Sequence, residues 1–422
     1  MPGLEMPSPC PTWTLALVPL MALVSACSGG SRSVGLQTAT ASPSETPLVA
    51  GTASRTPRPT LTPSATPEPA PVGPDFEEGF NPLTGLPLRD ADTLALRPLL
   101  IAITNFPPSA RPQAGLSVAA QVWETSIGQG MTRFLAVYYG DFLSQLEMLG
   151  VQRPPEAQDE YLVGPVRSGR IAFEAIKTFY PGAFLLTHSA SEWVREQLTN
   201  RIHVPSDDPN DVNSAGLTLE ELRGVAQEGG DPRAYAGLVF DYEPPSGGEA
   251  AGSLNIFYNL YNQVRWEYDR PRGAYRRLQN TVEDTGLMLL SRERIDGSPW
   301  TFENVVVLFA GHRFVNPDGS ILEIELLYAP RRFGLLLRDG RRYRMEWSSL
   351  RGDLQLRDEE GEVLPLRPGR TFFEVVSLQS TWDEQANRVR FHAPLPPTPT
   401  ETPTPTPTRT PSATQAATAP GP

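Results

Sequence analysis

Two arginines and a serine stand directly before a helical pattern near the middle of the chain. Arg167, Ser168 and Arg170 follow a Gly-Pro pair, and the apolar spacing after them predicts a helix from Ile171. A loop that feeds a helix presents free backbone N–H groups and the positive end of the helix dipole, to which guanidinium groups would add charge. The pattern predicts a site for a carboxylate or a phosphate group.

A structural interpretation of the same residues stays open. Ser168 has the side chain of a helix N-cap, because its hydroxyl can accept a hydrogen bond from a backbone N–H of the first turn. The arginines could pair with Glu124 or Glu174 in an ion network that has no ligand.

His188 follows the apolar run 184–186 and precedes Ser189. The run predicts a strand, and ligand sites of α/β folds lie at the carboxyl ends of strands, so the imidazole is a candidate general base. A histidine that only satisfies local hydrogen bonds is the alternative. The spacing of the histidines fits no zinc motif, and we predict neither a metal nor a cofactor: His188, His203, His312 and His392.

Paired carboxylates occur twice, as Asp241 with Glu243 and as Glu267 with Asp269. Two carboxylates can hydrolyse a glycoside, but pairs two residues apart are also common on solvated strand faces. Residues 211–216 begin like a calcium loop and lack its final carboxylate, whereas Thr218 and the residues after it fit a helix capping box.

Composition excludes several functional classes. The 422 residues include 2 cysteines, too few for a disulfide framework, a four-cysteine zinc site or an iron–sulfur cluster. The formal net charge of −12 argues against a nucleic-acid partner, whose binding needs clustered positive charge. Between residues 76 and 393 the only lysine is Lys177, so the cations of this region are arginines, which bind anions and do not shuttle protons.

The N-terminus predicts export and a lipid anchor. The apolar run 15–24 is too short to span a bilayer and suits a secretory signal. Residues 24–27 resemble the bacterial lipobox, in which Cys27 would become the lipid-bearing first residue. A plain signal peptide is the alternative, and the absence of Lys and Arg before the apolar run departs from the usual pattern. The lipobox predicts a protein on the outer face of the bacterial cytoplasmic membrane.

Proline marks the two ends of the chain. Of the 45 prolines, 19 lie in residues 31–74 and 394–422, which are also rich in Thr and Ser. Such segments bury too little apolar surface to offset the entropy of ordering. We predict a signal with lipobox at 1–27, a disordered tether at 28–75 and a disordered tail at 394–422.

The middle of the chain predicts an α+β fold in two parts. In residues 76–243, apolar runs such as 99–103 and 134–139 alternate with helical patterns, which indicates a mixed α/β domain. Residues 250–393 are dominated by strand patterns, and Asp339-Gly340 has the residue types of a type I′ hairpin turn. This second part is predicted to be mainly antiparallel β.

Ordered phrases in both parts resemble a known family. Asn81-Pro-Leu-Thr-Gly-Leu-Pro, the phrases at 110–117 and 132–136, and Gly164-Pro-Val-Arg-Ser-Gly-Arg are followed by phrases at 264–269, 304–307 and 368–373. Together they resemble the YerB-like bacterial lipoproteins, the family of domain of unknown function 3048. The resemblance implies a lipoprotein with that fold and implies no activity.

Within the resembling phrases, Arg111 and Arg133 are candidates to join the anion site. Two departures from the family pattern are Gly128-Gln-Gly, where a carboxylate is usual, and the region 208–213, where a histidine is usual. We therefore expect a lipid-anchored binding or scaffold protein for an anionic component of the cell envelope. The alternative is an envelope hydrolase or transferase that acts on wall glycan or peptide through His188.

Overall fold

Short strands and a few short helices form the regular structure of the chain. The computed structural model describes residues 72–395, with gaps at 154–159, 212, 236, 282–285 and 317–318, and residue 421. Cys27, the signal segment, most of the predicted tether and nearly all of the predicted tail lie outside the described residues. In the described part of the chain no helix is both long enough and apolar enough to cross a membrane.

The elements of the described residues follow one another along the chain. The strands are β1 (Phe80–Asn81), β2 (Leu86–Pro87), β3 (Leu99–Thr104), β4 (Gln121–Gly128), β5 (Met131–Tyr138), β6 (Phe184–Thr187), β7 (Arg201–His203), β8 (Glu249–Ala250), β9 (Ser253–Asn259), β10 (Asn262–Asp269), β11 (Ala274–Asn280), β12 (Met288–Leu290), β13 (Thr301–Phe302), β14 (Asn304–Phe314), β15 (Leu322–Glu325), β16 (Arg332–Arg338), β17 (Arg341–Ser348), β18 (Gln355–Arg357), β19 (Thr371–Ser377), β20 (Thr381–Asp383) and β21 (Arg388–Arg390). The α-helices are α1 (Phe142–Gly150), α2 (Ile171–Lys177), α3 (Glu192–Gln197) and α4 (Leu219–Val225). Turns of 3₁₀ helix lie at Ala91–Ala95, Pro108–Ala110 and Pro232–Tyr235.

A mixed sheet of 12 strands is the centre of the fold. Its order is β18-β17-β16-β14-β19-β4-β5-β3-β6-β7, with β15 beside β14 and β8 beside β17. Strands β3, β4, β6, β7, β14 and β19 run in one direction, because β5 is antiparallel to both β3 and β4. Strands from both predicted parts of the chain therefore share this sheet, and their carboxyl ends point to one edge.

A second sheet of seven strands covers one face of the large sheet. Its path is β12-β11-β10-β9-β21-β20, with β13 also paired to β11. Strand β9 alternates buried and half-buried residues, the pattern of a strand with one face in the core. The rings of Phe372 and Trp266 meet between the sheets with centres 4.8 Å apart. Strands β3 and β19 are buried along their whole length, which explains their nearly continuous apolar runs.

Helices α2 and α3 pack against the other face of the large sheet. Phe173 and Ile176 of α2 share a core cluster with Leu135 and Val137 of β5. The four α-helices have six to nine residues each, so packing of their apolar faces stabilises them more than helix propensity does.

Two local predictions are confirmed. Asp339 and Gly340 both have positive φ, of 53° and 71°, as a type I′ turn between β16 and β17 requires. Thr218 and Glu221 form the reciprocal hydrogen bonds of a capping box at the start of α4. The α+β prediction is confirmed in its coarser form, a chain dominated by strands; the α/β description of residues 76–243 stays a prediction.

Candidate anion-binding site

Strand β5 places Arg133 at the carboxyl edge of the parallel strands. In the sheet register Arg133 lies between Thr104 of β3 and Thr125 of β4. Its guanidinium donates from NH1 to the carbonyl oxygen of Ser168, at 3.1 Å. The Gly-Pro loop predicted from the sequence therefore crosses directly over this strand end.

Backbone hydrogen bonds fix the loop against β6. The N–H of Gly169 donates to the carbonyl oxygen of Ser189 at 2.7 Å, and the N–H of His188 donates to that of Arg167 at 3.1 Å. A Cβ at position 169 would lie 2.6 Å from a methyl carbon of Leu198, so a larger residue here would displace that side chain. The hydroxyl oxygens of Ser168 and Ser189 are 2.7 Å apart.

Three arginines gather at this edge of the sheet, and we call Arg133, Arg167 and Arg170 the arginine cluster. Burial lowers the pKa of Arg133 well below its usual value, and the positive charges of Arg170 and Arg167 lower it further. Burial and the charge of Arg167 also lower the pKa of Arg170. The positive charges of Arg133 and Arg170 are thus disfavoured both by low polarity and by a like charge nearby, whereas burial alone lowers the pKa of Arg167.

Arg133 is the most deeply buried member of the cluster. It is 4% exposed, and its Nε has no hydrogen-bond partner among the described residues. Among the described residues, neither Arg133 nor Arg170 forms an ion pair. A buried, uncompensated guanidinium is costly, so an anion bound at the cluster would remove an existing penalty.

The structural interpretation of the loop is wrong in both its parts. Arg170, not Ser168, occupies the N-cap position of α2, and no side chain caps this helix. Glu124 pairs with Arg277, and Glu174 pairs with Lys177 at 2.9 Å. Helix α2 has only seven residues, so the positive charge here comes from the arginines and not from the helix end.

Arg111 lies apart from the cluster. Its Nε donates to the backbone and side-chain oxygens of Asn105, at 3.2 Å each, and NH1 donates to the carbonyl oxygen of Asn280 at 3.3 Å. It lines a cavity of about 530 Å³ together with Gln113 and Gln279, and the lining of that cavity does not include the arginine cluster. Arg111 is also not among the charges that shift the pKa of Arg133. The structure does not bring this predicted site residue together with the other three arginines.

His188 lies beside the loop. Its Nδ1 is 3.0 Å from the carbonyl oxygen of Val204, and its ring stacks on that of His203 with centres 5.9 Å apart. Across the described residues, no hydrogen bond joins the imidazole to Ser168 or Ser189. A general base for a serine nucleophile needs such a bond. The catalytic interpretation of His188 stays a prediction.

The two carboxylate pairs contact nearby arginines or backbone, and Asp269 is buried. Asp269 pairs with Arg272 at 2.7 Å, and Glu267 lies 3.8 Å from Arg276. Asp241 accepts a hydrogen bond from the backbone N–H of Glu243, as in a polar turn. Among the described residues, no group of three or more His, Cys, Asp or Glu side chains is placed to hold a metal ion.

Sequence reasoning missed a polar network that is completely buried between the two sheets. Glu124 and Arg277 form its ion pair, with 2.7 Å between Oε2 and NH2 and no exposure of either side chain. Glu124 Oε1 accepts from the hydroxyl of Thr132 at 2.6 Å and from the amide of Asn105 at 3.2 Å. Gln279 also accepts from Arg277, at 2.9 Å.

Glu374 is the second carboxylate of the network. It lies directly beside Glu124 in the parallel register of β19 and β4. Oε1 accepts from the indole N–H of Trp266 at 2.8 Å, and Oε2 accepts from the hydroxyl of Tyr258 at 2.9 Å. Burial, and then the charge of Glu124, raises the pKa of Glu374 to about 8. With Glu374 protonated, the network balances one carboxylate against one guanidinium.

The missed network does have a sequence signal. Glu374 stands alone in the otherwise apolar run 372–376, and Glu124 follows Val-Trp in the same manner. The side chain of Arg277 lies on the same buried face of β11 as that of Tyr275, two residues earlier. A single charged residue inside a buried strand pattern therefore indicates a buried partner, although the pattern does not say which one.

Comparison with known proteins gives the family. Two family models match the chain: the N-terminal domain of the protein of unknown function DUF3048 over residues 83–217, and its C-terminal domain over residues 254–373. This chain belongs to the DUF3048 family. The predicted resemblance is confirmed, and the arginine cluster lies within the N-terminal DUF3048 match.

The chain is also similar to a named protein and to a solved structure. The chain is 26% identical over 313 residues to a protein named "Putative lipoprotein YerB" from Bacillus subtilis (strain 168), covering 70% of this chain and 85% of that protein. The crystal structure of the YerB protein from Bacillus subtilis superposes with a TM-score of 0.55 at 24% identity, over 70% of this chain and 96% of that one. The structural likeness shows a shared fold.

Proposed function

We propose that this DUF3048 protein is a lipid-anchored, extracytoplasmic binding protein for an anionic component of the cell envelope. Two observations support the anchor: the lipobox-like residues that end at Cys27, and the relative named as a lipoprotein. The arginine cluster supports the binding role. Its ligand is a carboxylate or phosphate group of the envelope, and the net charge of −12 disfavours a nucleic acid.

The observation that carries the binding proposal is the buried guanidinium of Arg133. Two further positive charges, those of Arg167 and Arg170, lower its pKa, and no carboxylate is among the causes of the shift. Ion networks that serve only stability place opposite charges together. A cluster of like charges with one member buried stores an unfavourable energy that anion binding releases.

Partly exposed neighbours give an anion access to the cluster. Arg167, Ser168 and Arg170 are half-buried, whereas Arg133 lies beneath them. Guanidinium groups can hold a carboxylate or phosphate through two parallel N–H···O bonds, and the hydroxyls of Ser168 and Ser189 add donors beside them. The position at the carboxyl ends of parallel strands is also where ligands bind in many α/β sheets.

Arginine substitutions test the binding proposal. We expect Arg170→Ala and Arg133→Met to weaken binding of inorganic pyrophosphate or of citrate about 10- to 100-fold, because each removes a charge-assisted hydrogen-bond donor. Isothermal titration calorimetry on the purified protein measures the affinities, and the two probes separate phosphate from carboxylate recognition. Arg195→Ala, which removes an exposed arginine of α3, is the matched control and should bind like the wild type.

The same variants separate a ligand site from a structural role. If Arg133 serves anion binding, Arg133→Met removes an unpaired buried charge, so the melting temperature without ligand should stay equal or rise. A clear fall in melting temperature with unchanged affinity would show that the arginines hold the fold and would refute the binding proposal.

Substitution of Cys27 tests the anchor independently. In a bacterial host we expect Cys27→Ala to shift the protein from the membrane fraction to the soluble fraction, because the acyl chains that hold it would be lost. Metabolic labelling with a radioactive fatty acid should give a labelled wild-type protein and an unlabelled variant. Equal membrane retention without label in both proteins would contradict lipid anchoring.

A further inference from the structure

A polar cavity of about 520 Å³ lies where the N-terminal and C-terminal DUF3048 matches meet. Its walls come from residues 81–88, from the junction of β5 and α1, and from residues 367–370. Its described lining does not include the arginine cluster, so it is a separate place in the fold. The volume is in the range of pockets that hold small ligands.

Two carboxylates line this cavity, and the backbone holds both in place. Oδ2 of Asp141 accepts from the N–H of Arg89 at 2.8 Å, and Oε2 of Glu303 accepts from the N–H of Arg370 at 2.7 Å. An ionised carboxylate offers about four acceptor positions. Each therefore keeps acceptor capacity for a ligand, in an orientation that the fold has already set.

Donors lie on the same walls. The guanidinium of Arg370 is held by the carbonyl oxygen of Ser117 and by the hydroxyl of Thr301. It offers five N–H donors, more than these two contacts use. The exposed amide of Gln145 on α1 adds a group that both donates and accepts.

The charges of the cavity nearly cancel. Arg272 pairs with Asp269, and Arg367 pairs with Asp339. With those two arginines balanced by their own partners, the remaining charged lining groups are two carboxylates and the guanidinium of Arg370. The cavity thus presents fixed donors and acceptors without the strong positive charge that an anion site shows.

An exposed aromatic residue is among those that line the cavity. Tyr242 is 47% exposed and lines it. A tyrosine ring has an apolar face and a polar end, so it can pack on an apolar ligand surface beside water. A sugar ring matches all of these features, because its hydroxyls both donate and accept and its C–H face is apolar.

We propose that this cavity binds a carbohydrate, with Asp141, Glu303, Gln145 and Arg370 bonding to ring hydroxyls and Tyr242 packing on the ring face. The site is independent of the arginine cluster. A protein with both sites recognises a sugar and an anionic group at two different places on its surface.

Saturation-transfer difference NMR and calorimetry on the purified protein test this proposal. The probes are the β-1,4-linked tetramer of N-acetylglucosamine and maltotetraose, with glycerol phosphate as an anionic comparison. We expect binding of at least one oligosaccharide, and Tyr242→Ala and Gln145→Ala should each weaken it about five- to tenfold. Both side chains are exposed, so neither substitution should disturb folding.

Matched variants make the outcomes distinct. Tyr261→Ala removes another exposed tyrosine, in the β9–β10 turn, and should bind sugar like the wild type. Arg170→Ala should also leave sugar binding intact. Loss of anion binding and loss of sugar binding can therefore be distinguished. No oligosaccharide binding, or binding that Tyr242→Ala and Gln145→Ala leave unchanged, would overturn the proposal.

Discussion

Arg277→Leu is expected to destabilise the folded protein by about 3–5 kcal/mol, because it leaves the carboxylate of Glu124 buried without its counter-charge. Both side chains of this pair have no exposure, and NH2 of Arg277 lies 2.7 Å from Oε2 of Glu124. The guanidinium also donates to Gln279 and to Ser291, which would lose a partner. Urea unfolding at neutral pH, followed by tryptophan fluorescence, measures the loss.

A second substitution shows whether the uncompensated charge is the cause. Adding Glu124→Gln to Arg277→Leu removes that charge and keeps an oxygen for the hydroxyl of Thr132, so the double variant should recover a large part of the lost stability. Arg331→Leu, which removes an exposed partner of Glu346, is the control and should cost at most about 1 kcal/mol. A double variant as unstable as Arg277→Leu would attribute the effect to lost packing.

Local elements of this fold could be predicted because their causes are local. The run at 99–103 becomes β3, and the helical pattern from Ile171 becomes α2, because apolar spacing reports which faces are buried. Asp339-Gly340 and the capping box at Thr218 are equally local, since each depends on residues next to it in the chain.

The order of strands in the large sheet could not be predicted in the same way. Strand β19 pairs with β4 and β14, so residues near 373 lie beside residues near 123. No turn chemistry joins strands so far apart in sequence; the pairing is selected by the shape of the whole core. For the same reason, the sequence could not show that both predicted parts contribute to one sheet.

The candidate site residues also differ in whether their contacts are local or distant in sequence. Arg167, Ser168 and Arg170 lie within one loop, so their proximity could be predicted from spacing, whereas His188 reaches that loop only through the backbone bond from its N–H to the carbonyl oxygen of Arg167. Arg133 joins them only through the pairing of β5 with β3, whereas Arg111, which lies between β3 and β4 in the sequence, lines a cavity to which the arginine cluster does not contribute. The partner of Arg277 is 153 residues away, a separation at which residue type alone identifies no contact.

Glu374→Gln is expected to make the protein more stable than the wild type at pH 8 and above, with little difference near pH 5. Burial and the neighbouring charge of Glu124 raise the pKa of Glu374 from 4.5 to about 8 in the folded protein. Between these two values the unfolded chain has lost the proton while the folded protein keeps it, so the free energy of unfolding falls as pH rises. Above about 8 both states are ionised, and the loss levels off.

Glutamine resembles the protonated acid in shape and carries no titratable proton, so the variant should lack this decline. Its amide oxygen can still accept from the indole N–H of Trp266. Urea unfolding from pH 5 to 9 measures the free energy of unfolding of both proteins. The difference between them should grow steadily as pH rises to about 8 and reach a few kcal/mol. Glu346→Gln, at an exposed ion pair, should show a nearly constant difference. A constant difference for Glu374→Gln as well would mean that Glu374 is already ionised at pH 5, so that the network holds two carboxylates against the single charge of Arg277.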